Sequence, residues 1–243
     1  LYTLDDNNKW TFVNSVRPTC NKKASKYSIV KKKKKKMREY LLFLPLYDGI
    51  DSLYIGVDSS AVIQGPMANI PRREKPIVVY GTSITQGACA SRPGMAYTNI
   101  LERELNREIY NFGFSGNGQL DIDVAKLMAT IDAGMIIFDC LPNNTAPQLK
   151  ERIEPFYRFM REHCPNVPIL FIESPLFPIV RFNAKTASDI NAKNVVLKEF
   201  YDKLKAEGAE NIYYMYAEEI FGGNVEATVD NYHFTDIGFR YFA

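Results

Sequence analysis

Ser83 and the pair Asp230 and His233 are residue types from which nucleophilic catalysis can be assembled. A serine hydroxyl is a weak nucleophile until a neighbouring base takes its proton. His233 is one of two histidines in the chain, and Asp230 precedes it by three residues. A turn of that length can aim the carboxylate at the imidazole Nδ1–H. The carboxylate would then set the tautomer and stabilise the imidazolium formed during attack. Serine early, aspartate and histidine late, is one recurring chain order for a hydrolase triad. Each residue also has a plain structural reading. Ser83 suits a Ser/Thr turn between strand and helix, and a lone histidine can be structural. The second histidine, His163, lies between Arg161-Glu162 and Cys164-Pro165 and reads as a solvated helix end.

Positioning these residues requires a scaffold. Residues 77–80, Ile-Val-Val-Tyr, are β-branched or aromatic and predict a short buried strand that Gly81 ends. From there strand and helix signals alternate. Strands are predicted at 108–112, 135–139, 168–172 and 211–215. Helices are predicted at 96–105, 121–131, 147–164 (bent at Pro155) and 192–206, with a last helix starting at Asp236. This order implies an α/β fold: a three-layer α/β/α domain with a five-stranded parallel sheet and right-handed crossovers. In such sheets ligands are handled at the carboxyl ends of the strands. Ser83 sits at one of those ends.

Two further loops fall at strand ends. Gly113-Phe114-Ser115-Gly116-Asn117-Gly118 follows the second strand of this domain. A glycine-rich loop can cradle phosphate, but this one lacks the dinucleotide fingerprint and any P-loop lysine. It can instead offer the Gly116 backbone N–H to an oxyanion, with glycine allowing close approach. Asp139-Cys140-Leu141-Pro142-Asn143-Asn144-Thr145 follows the third strand. Asn143 can point its amide into the same cleft, or serve only as a turn or cap residue. Asn143-Asn144-Thr145 is also a formal glycosylation acceptor.

Residues 1–70 differ in character. Short strand candidates at 10–13, 27–30, 40–44 and 52–57 are separated by turn signals such as Asp48-Gly49. They predict a small β-rich lobe, a partial sandwich or an add-on to the main sheet, joined to the 71–243 domain by a link from Gly65 to Pro76. Lys31 to Lys36 is an unbroken basic run. It suits a solvated loop, or contact with an anionic polymer or membrane. The 243 residues are 46% hydrophobic and 24% charged, with a net charge of +2. That balance argues against nucleic acid as a partner. Cys20, Cys89, Cys140 and Cys164 form no Cys-x-x-Cys pair, so zinc and thioredoxin-like readings are weak. No signal peptide or membrane-spanning run is visible. The chain reads as trimmed at both ends, since it stops at Ala243 inside a predicted helix.

Taken in order, Gly81-Thr82-Ser83, Asn111 to Gly118, Leu141 to Asn144 and Asp230 to His233 resemble the four blocks of the SGNH/GDSL hydrolase superfamily. The resemblance covers roughly residues 75–243 and implies a flavodoxin-like SGNH fold. It also implies Ser83 as nucleophile, Asp230 and His233 as the rest of the triad, and Ser83, Gly116 and Asn143 as oxyanion donors. No metal or cofactor is called for. Two positions depart from the family pattern. Thr82 replaces the acid of Gly-Asp-Ser, and Leu141-Pro142-Asn143-Asn144 replaces Gly-x-Asn-Asp. Both bear on hydrogen bonds that brace the loops rather than on the five chemical positions. The wording around Ser83, with the β-rich front lobe, resembles a bacterial branch that is often extracytoplasmic and linked to glycan use. The implied reaction is hydrolysis of small acyl esters, acetyl among them, on a small-molecule or glycan alcohol. A glycan-binding protein with a vestigial site and a nucleotide-binding domain are the competing readings. The lobe is expected to position substrate and to contribute nothing to bond cleavage.

Overall fold

The computed structural model describes residues 1–17, 25–31, 34, 36–66 and 74–243. The N-terminal lobe holds β1 (Tyr2–Leu4), β2 (Trp10–Phe12) and β3 (Tyr40–Leu41) in an antiparallel sheet of order β2-β1-β3. Two of the predicted strands are absent: residues 27–30 and 52–57 carry no strand. Their side chains favour strands, but propensity makes a strand only where an edge is there to pair. β1, which sequence patterning overlooks, exists because it pairs on both sides, with β2 and with β3. Lys36 forms an ion pair with Asp6. Lys32, Lys33, Lys35, Cys20 and most of the expected link before Pro76 lie outside the described residues.

The main domain follows as β4 (Ile77–Gly81), α1 (Ser83–Gln86), α2 (Tyr97–Leu105), β5 (Ile109–Gly113), α3 (Ile122–Met128), β6 (Met135–Asp139), α4 (Ala146–His163), β7 (Ile169–Ile172), α5 (Ala184–Ala206), β8 (Ile212–Met215), α6 (Ala217–Phe221) and α7 (Asp236–Phe242). Its sheet is five-stranded and parallel, of order β5-β4-β6-β7-β8. Period-2 alternation splits the strands between two cores. Val78, Tyr80, Ile136, Phe138 and Phe171 face Leu149, Phe156 and Leu197 from α4 and α5. Ile77, Val79, Ile137 and Ile172 face Tyr97, Ile100, Phe239 and Phe242 from α2 and α7. Burial on both faces is why these strands read as continuous apolar runs.

Helix ends follow local chemistry. Thr145 caps α4 reciprocally with Gln148, and Asn183 caps α5 by accepting from Thr186 N–H at 3.0 Å. That cap starts α5 at Ala184, eight residues before the predicted start, because its first two turns are too polar to show an apolar period. α4 runs through Pro155 from Ala146 to His163. His163 ends it as expected, with Nδ1 2.9 Å from the Phe159 carbonyl and its ring stacked on Phe159.

Register then determines what meets at the carboxyl edge. β4 lies between β5 and β6, and Gly81 is paired with Gly113 on one side and Asp139 on the other. The turns after these three strands therefore emerge side by side. They pack closely: a Cβ at Gly113 would lie 2.6 Å from Gln86 Cα, and closer still to its nitrogen. We predict that Gly113→Ala costs about 1–3 kcal/mol by overpacking against that backbone. It would be read as a lowered urea midpoint at unchanged slope, and a wild-type midpoint would contradict the close packing of β5 on α1.

Candidate functional site

Ser83 opens α1, and the sequence folds that way because of two threonines. Thr82 Oγ1 accepts from Ile84 N–H at 3.2 Å, and Thr85 Oγ1 accepts from Thr82 N–H at 3.2 Å. The pair forms a capping box with extended backbone at Thr82. Gly87 ends the helix after one turn in the left-handed region. Thr82, standing in place of the family's acid, is thus a working N-cap. The T-x-x-T spacing is the signal that sequence reading could have used to place α1.

Beneath this turn lies a carboxylate the sequence reading overlooked. Asp139 ends β6 and is 1% exposed. Its Oδ2 accepts from the Thr85 hydroxyl at 2.7 Å and the Tyr97 hydroxyl at 2.9 Å. Burial pushes its carboxyl up to about 6, against the lowering effect of those two hydrogen bonds. The chain of contacts from Asp139 through Thr85 to the Thr82 N–H ends one residue before Ser83. An acid closing an apolar strand, Met135-Ile-Ile-Phe-Asp139, was the available clue.

His233 arrives from the other end of the chain. Phe234 is fully buried against Phe221, Phe239 and Phe242 and anchors the loop. Thr235 caps α7 just beyond it. Asp230 organises the turn between them. Its Oδ1 accepts the backbone N–H of Tyr232 at 3.1 Å and of His233 at 2.8 Å, and its Oδ2 lies 2.7 Å from His233 Nδ1. Burial is the largest single influence and raises the carboxyl, but the His233 ring and the two backbone N–H groups together outweigh it and hold Asp230 down to about 2. A carboxylate at Nδ1 requires the Nδ1–H tautomer, which leaves Nε2 as acceptor. Nε2 lies 3.0 Å from Ser83 Oγ, across 150 residues of chain. Ser83, His233 and Asp230 are therefore one hydrogen-bonded line, and in it Ser83 can pass its proton to His233. Asp236 ties the two sides together by accepting from Ser91 N–H at 3.0 Å and from the Ser91 hydroxyl.

The loops after β5 and β6 flank this line and are clamped to each other. Asn143 Oδ1 accepts from Gly118 N–H at 3.2 Å, while Asn144 Nδ2 donates to Gly118 O at 2.9 Å and to Cys140 O at 2.8 Å. Asn144, where the family pattern has aspartate, thus acts as a donor to two carbonyls that a carboxylate could not serve. Fixing Asn143 Oδ1 on Gly118 leaves its Nδ2 hydrogens directed away from that bond. Gly116 has φ +72°, and a Cβ there would meet nothing within 4 Å. Glycine is needed at 116 for its backbone conformation, and crowding plays no part. At the far end of the loop the buried Tyr80 hydroxyl accepts from Leu120 N–H at 2.8 Å.

The chain matches known families along most of its length. A model of the GDSL-like lipase/acylhydrolase family covers residues 74–243, and a model of the N-terminus of SGNH-hydrolase-type esterases covers residues 1–63. Among solved structures, a GDSL-like lipase from Bacteroides ovatus is 32% identical with a TM-score of 0.83, over 99% of this chain and 70% of that one. A salicylyl-acyltransferase from a tetracycline biosynthetic pathway is 19% identical with a TM-score of 0.61, over 70% of this chain and 52% of that one. A family 3 carbohydrate esterase from Clostridium thermocellum is 17% identical with a TM-score of 0.51, over 69% of this chain and 90% of that one. The last two share the fold. No curated protein matches the chain. A five-stranded SGNH sheet, an antiparallel front lobe and these two family matches over nearly the whole chain lead to one assignment: the chain belongs to the GDSL-like lipase/acylhydrolase family and is an ester hydrolase.

Proposed function

We propose that this hydrolase is a serine esterase acting through Ser83, His233 and Asp230 on small acyl esters, acetyl esters of carbohydrates in particular. The observation that carries the reading is the continuous line from Ser83 Oγ to His233 Nε2 and from His233 Nδ1 to Asp230 Oδ2, at 3.0 and 2.7 Å. In the first half-reaction Ser83 Oγ bonds to the ester carbonyl carbon while its proton passes to His233 Nε2. The carbonyl oxygen becomes an oxyanion. Donors for it are the backbone N–H groups of Ser83 and Gly116 and the Asn143 side-chain amide. The tetrahedral species collapses as the carbon–alkoxide bond breaks, and His233 returns its proton to the leaving alcohol. Water then attacks the acyl-Ser83 carbonyl with His233 as base, releasing the carboxylic acid and restoring the serine. Asp230 stays ionised throughout and offsets the imidazolium charge.

The carbohydrate part rests on likeness in fold to a carbohydrate esterase. Action outside the cytoplasm belongs to the same proposal. Residues 71–243 are taken as the hydrolase domain and 1–70 as its lobe. Among the described residues no helix is long and apolar enough to cross a membrane.

Ser83→Ala is expected to abolish hydrolysis of a small aryl acetate and labelling by a fluorophosphonate, with an unchanged melting temperature. Near wild-type turnover by this variant would end the serine mechanism. Losing the Asn143 donor should cost about 2.7–4 kcal/mol of transition-state stabilisation. Steady-state kinetics of Asn143→Ala should show it in kcat with KM nearly constant.

Asp139 supplies a prediction about pH. Its folded carboxyl titrates near 6 and its unfolded one near 3.8. Between those values the folded state binds more protons, so this group makes stability fall as pH rises from about 4 to 6, then level off. Melting temperatures of wild type and Asp139→Asn, compared at pH 4 and pH 7, should show the fall in the wild type only. Parallel curves would mean that Asp139 is not a buried titrating group.

A further inference from the structure

The N-terminal lobe reaches the reacting centre through one short segment. Beyond β3 the chain passes over α1, and Phe43 and Leu46 close one side of a cavity of about 290 Å³ whose other side is Gln86 and Asn111. Leu46 covers Gly87, where a Cβ would lie 2.6 Å from Leu46 Cδ1. Gln86, the last residue of α1, spends both ends of its amide here. Its Nε2 donates to the Leu46 carbonyl at 3.1 Å, and its Oε1 accepts from Ser115 N–H at 3.0 Å. Tyr47, 50% exposed, makes a second link. Its hydroxyl donates to the Ser83 carbonyl at 3.5 Å. Ser115 immediately precedes Gly116. Two links therefore leave the lobe, one through Gln86 to the Gly116 loop and one from Tyr47 to the nucleophile turn.

The lobe is held firmly enough for such bridges to matter. Arg103 on α2 stacks over the Tyr2 ring at 4.2 Å and lies 5.4 Å from that of Phe43. Arg92, in the loop after α1, sits 4.2 Å over Phe12. Both guanidinium contacts pin β1, β2 and the segment after β3 to elements that surround Ser83. Gly116 itself has no packing of its own at the Cα, since a Cβ there would meet nothing within 4 Å. Its loop is held here by the Ser115 N–H on Gln86 Oε1 at 3.0 Å and by Gln119 Nε2, which donates to the Gly116 carbonyl at 3.2 Å.

We infer that the lobe builds part of the oxyanion site: Tyr47, bonded to the Ser83 carbonyl, and Leu46, acting through Gln86 on Ser115, are positioning residues that hold the Ser83 turn and the Gly116 N–H level with each other. It departs from the expectation that residues 1–70 contribute nothing to bond cleavage, and it rests on the reading of Ser83 as nucleophile and Gly116 as oxyanion donor.

The test uses the full chain and a small aryl acetate, whose alcohol and acyl parts are too small to need a distant binding wall. Wild-type turnover and its loss in Ser83→Ala establish the underlying reading first, so its failure is separable from failure of the inference. Tyr47→Phe keeps the ring and removes only the hydroxyl. It should lower kcat about three- to tenfold, the worth of one hydrogen bond, with KM within twofold and the melting temperature unchanged. Gln86→Leu, which loses both amide contacts, should lower kcat further, while Gln86→Glu, which keeps the Ser115 acceptor, should recover part of the loss. Combined with Asn143→Ala, the Tyr47→Phe loss should be less than multiplicative, because both act on one oxyanion. Unchanged kcat in Tyr47→Phe, a loss confined to KM, or full multiplicativity with Asn143→Ala would each overturn the inference.

Discussion

Parallel pairing of β4 with β5 and β6 is the constraint from which the site follows. Gly81, Gly113 and Asp139 stand in one row at the ends of three adjacent strands. Successive strands leave β4 on opposite sides, so the loops that follow β4 and β6 diverge and open a crevice above the sheet. Every proposed chemical group except the Asp230–His233 turn is borne on a loop that starts from this row. Shifting one strand by a residue would turn each side chain to the other face and misplace its loop.

Two carboxylates serve this arrangement in opposite environments. Asp139 is enclosed, bonded to two hydroxyls, and pushed up to about 6 by burial. Asp230 is held at about 2 because hydrogen bonds from the His233 ring, the His233 N–H and the Tyr232 N–H together outweigh desolvation, the largest single influence on it. The buried acid shapes the turn that carries Ser83. The partly solvated acid shapes the turn that carries His233 and keeps the charge needed beside an imidazolium. The departures from the family pattern fit the same scheme. Thr82 caps α1 with its hydroxyl, and Asn144 donates to the carbonyls of Gly118 and Cys140.

The front lobe completes the picture of a site made by convergence. Arginine stacking on Tyr2, Phe43 and Phe12 locates the lobe beside α2. The segment after β3 is then delivered to Gln86, whose amide also holds Ser115. Nothing in the lobe's own pattern of residues marks this, because Leu46 bonds through its carbonyl and Tyr47 looks like any tyrosine in a turn-rich stretch.

The chain's amino-acid order by itself determined the five parallel strands and the longer helices between them, while the one-turn α1 and the short α6 were not legible in it. Apolar runs bounded by glycine and proline, and helical periods between them, are local properties. It also determined Ser83, Gly116, Asn143, Asp230 and His233 as the candidate groups, since each lies in a short block next to a strand or helix end. The lobe was legible only as strand-rich. β1 and the absence of strands at 27–30 and 52–57 depended on which edges found partners. Asp139, Thr85 and Tyr97 were hidden because their link spans up to 54 residues of chain, and Tyr47 and Gln86 for the same reason. Tertiary structure alone decided those contacts: hydrogen bonds between distant segments depend on how sheet register and side-chain packing bring the segments together, and no local pattern encodes that distance.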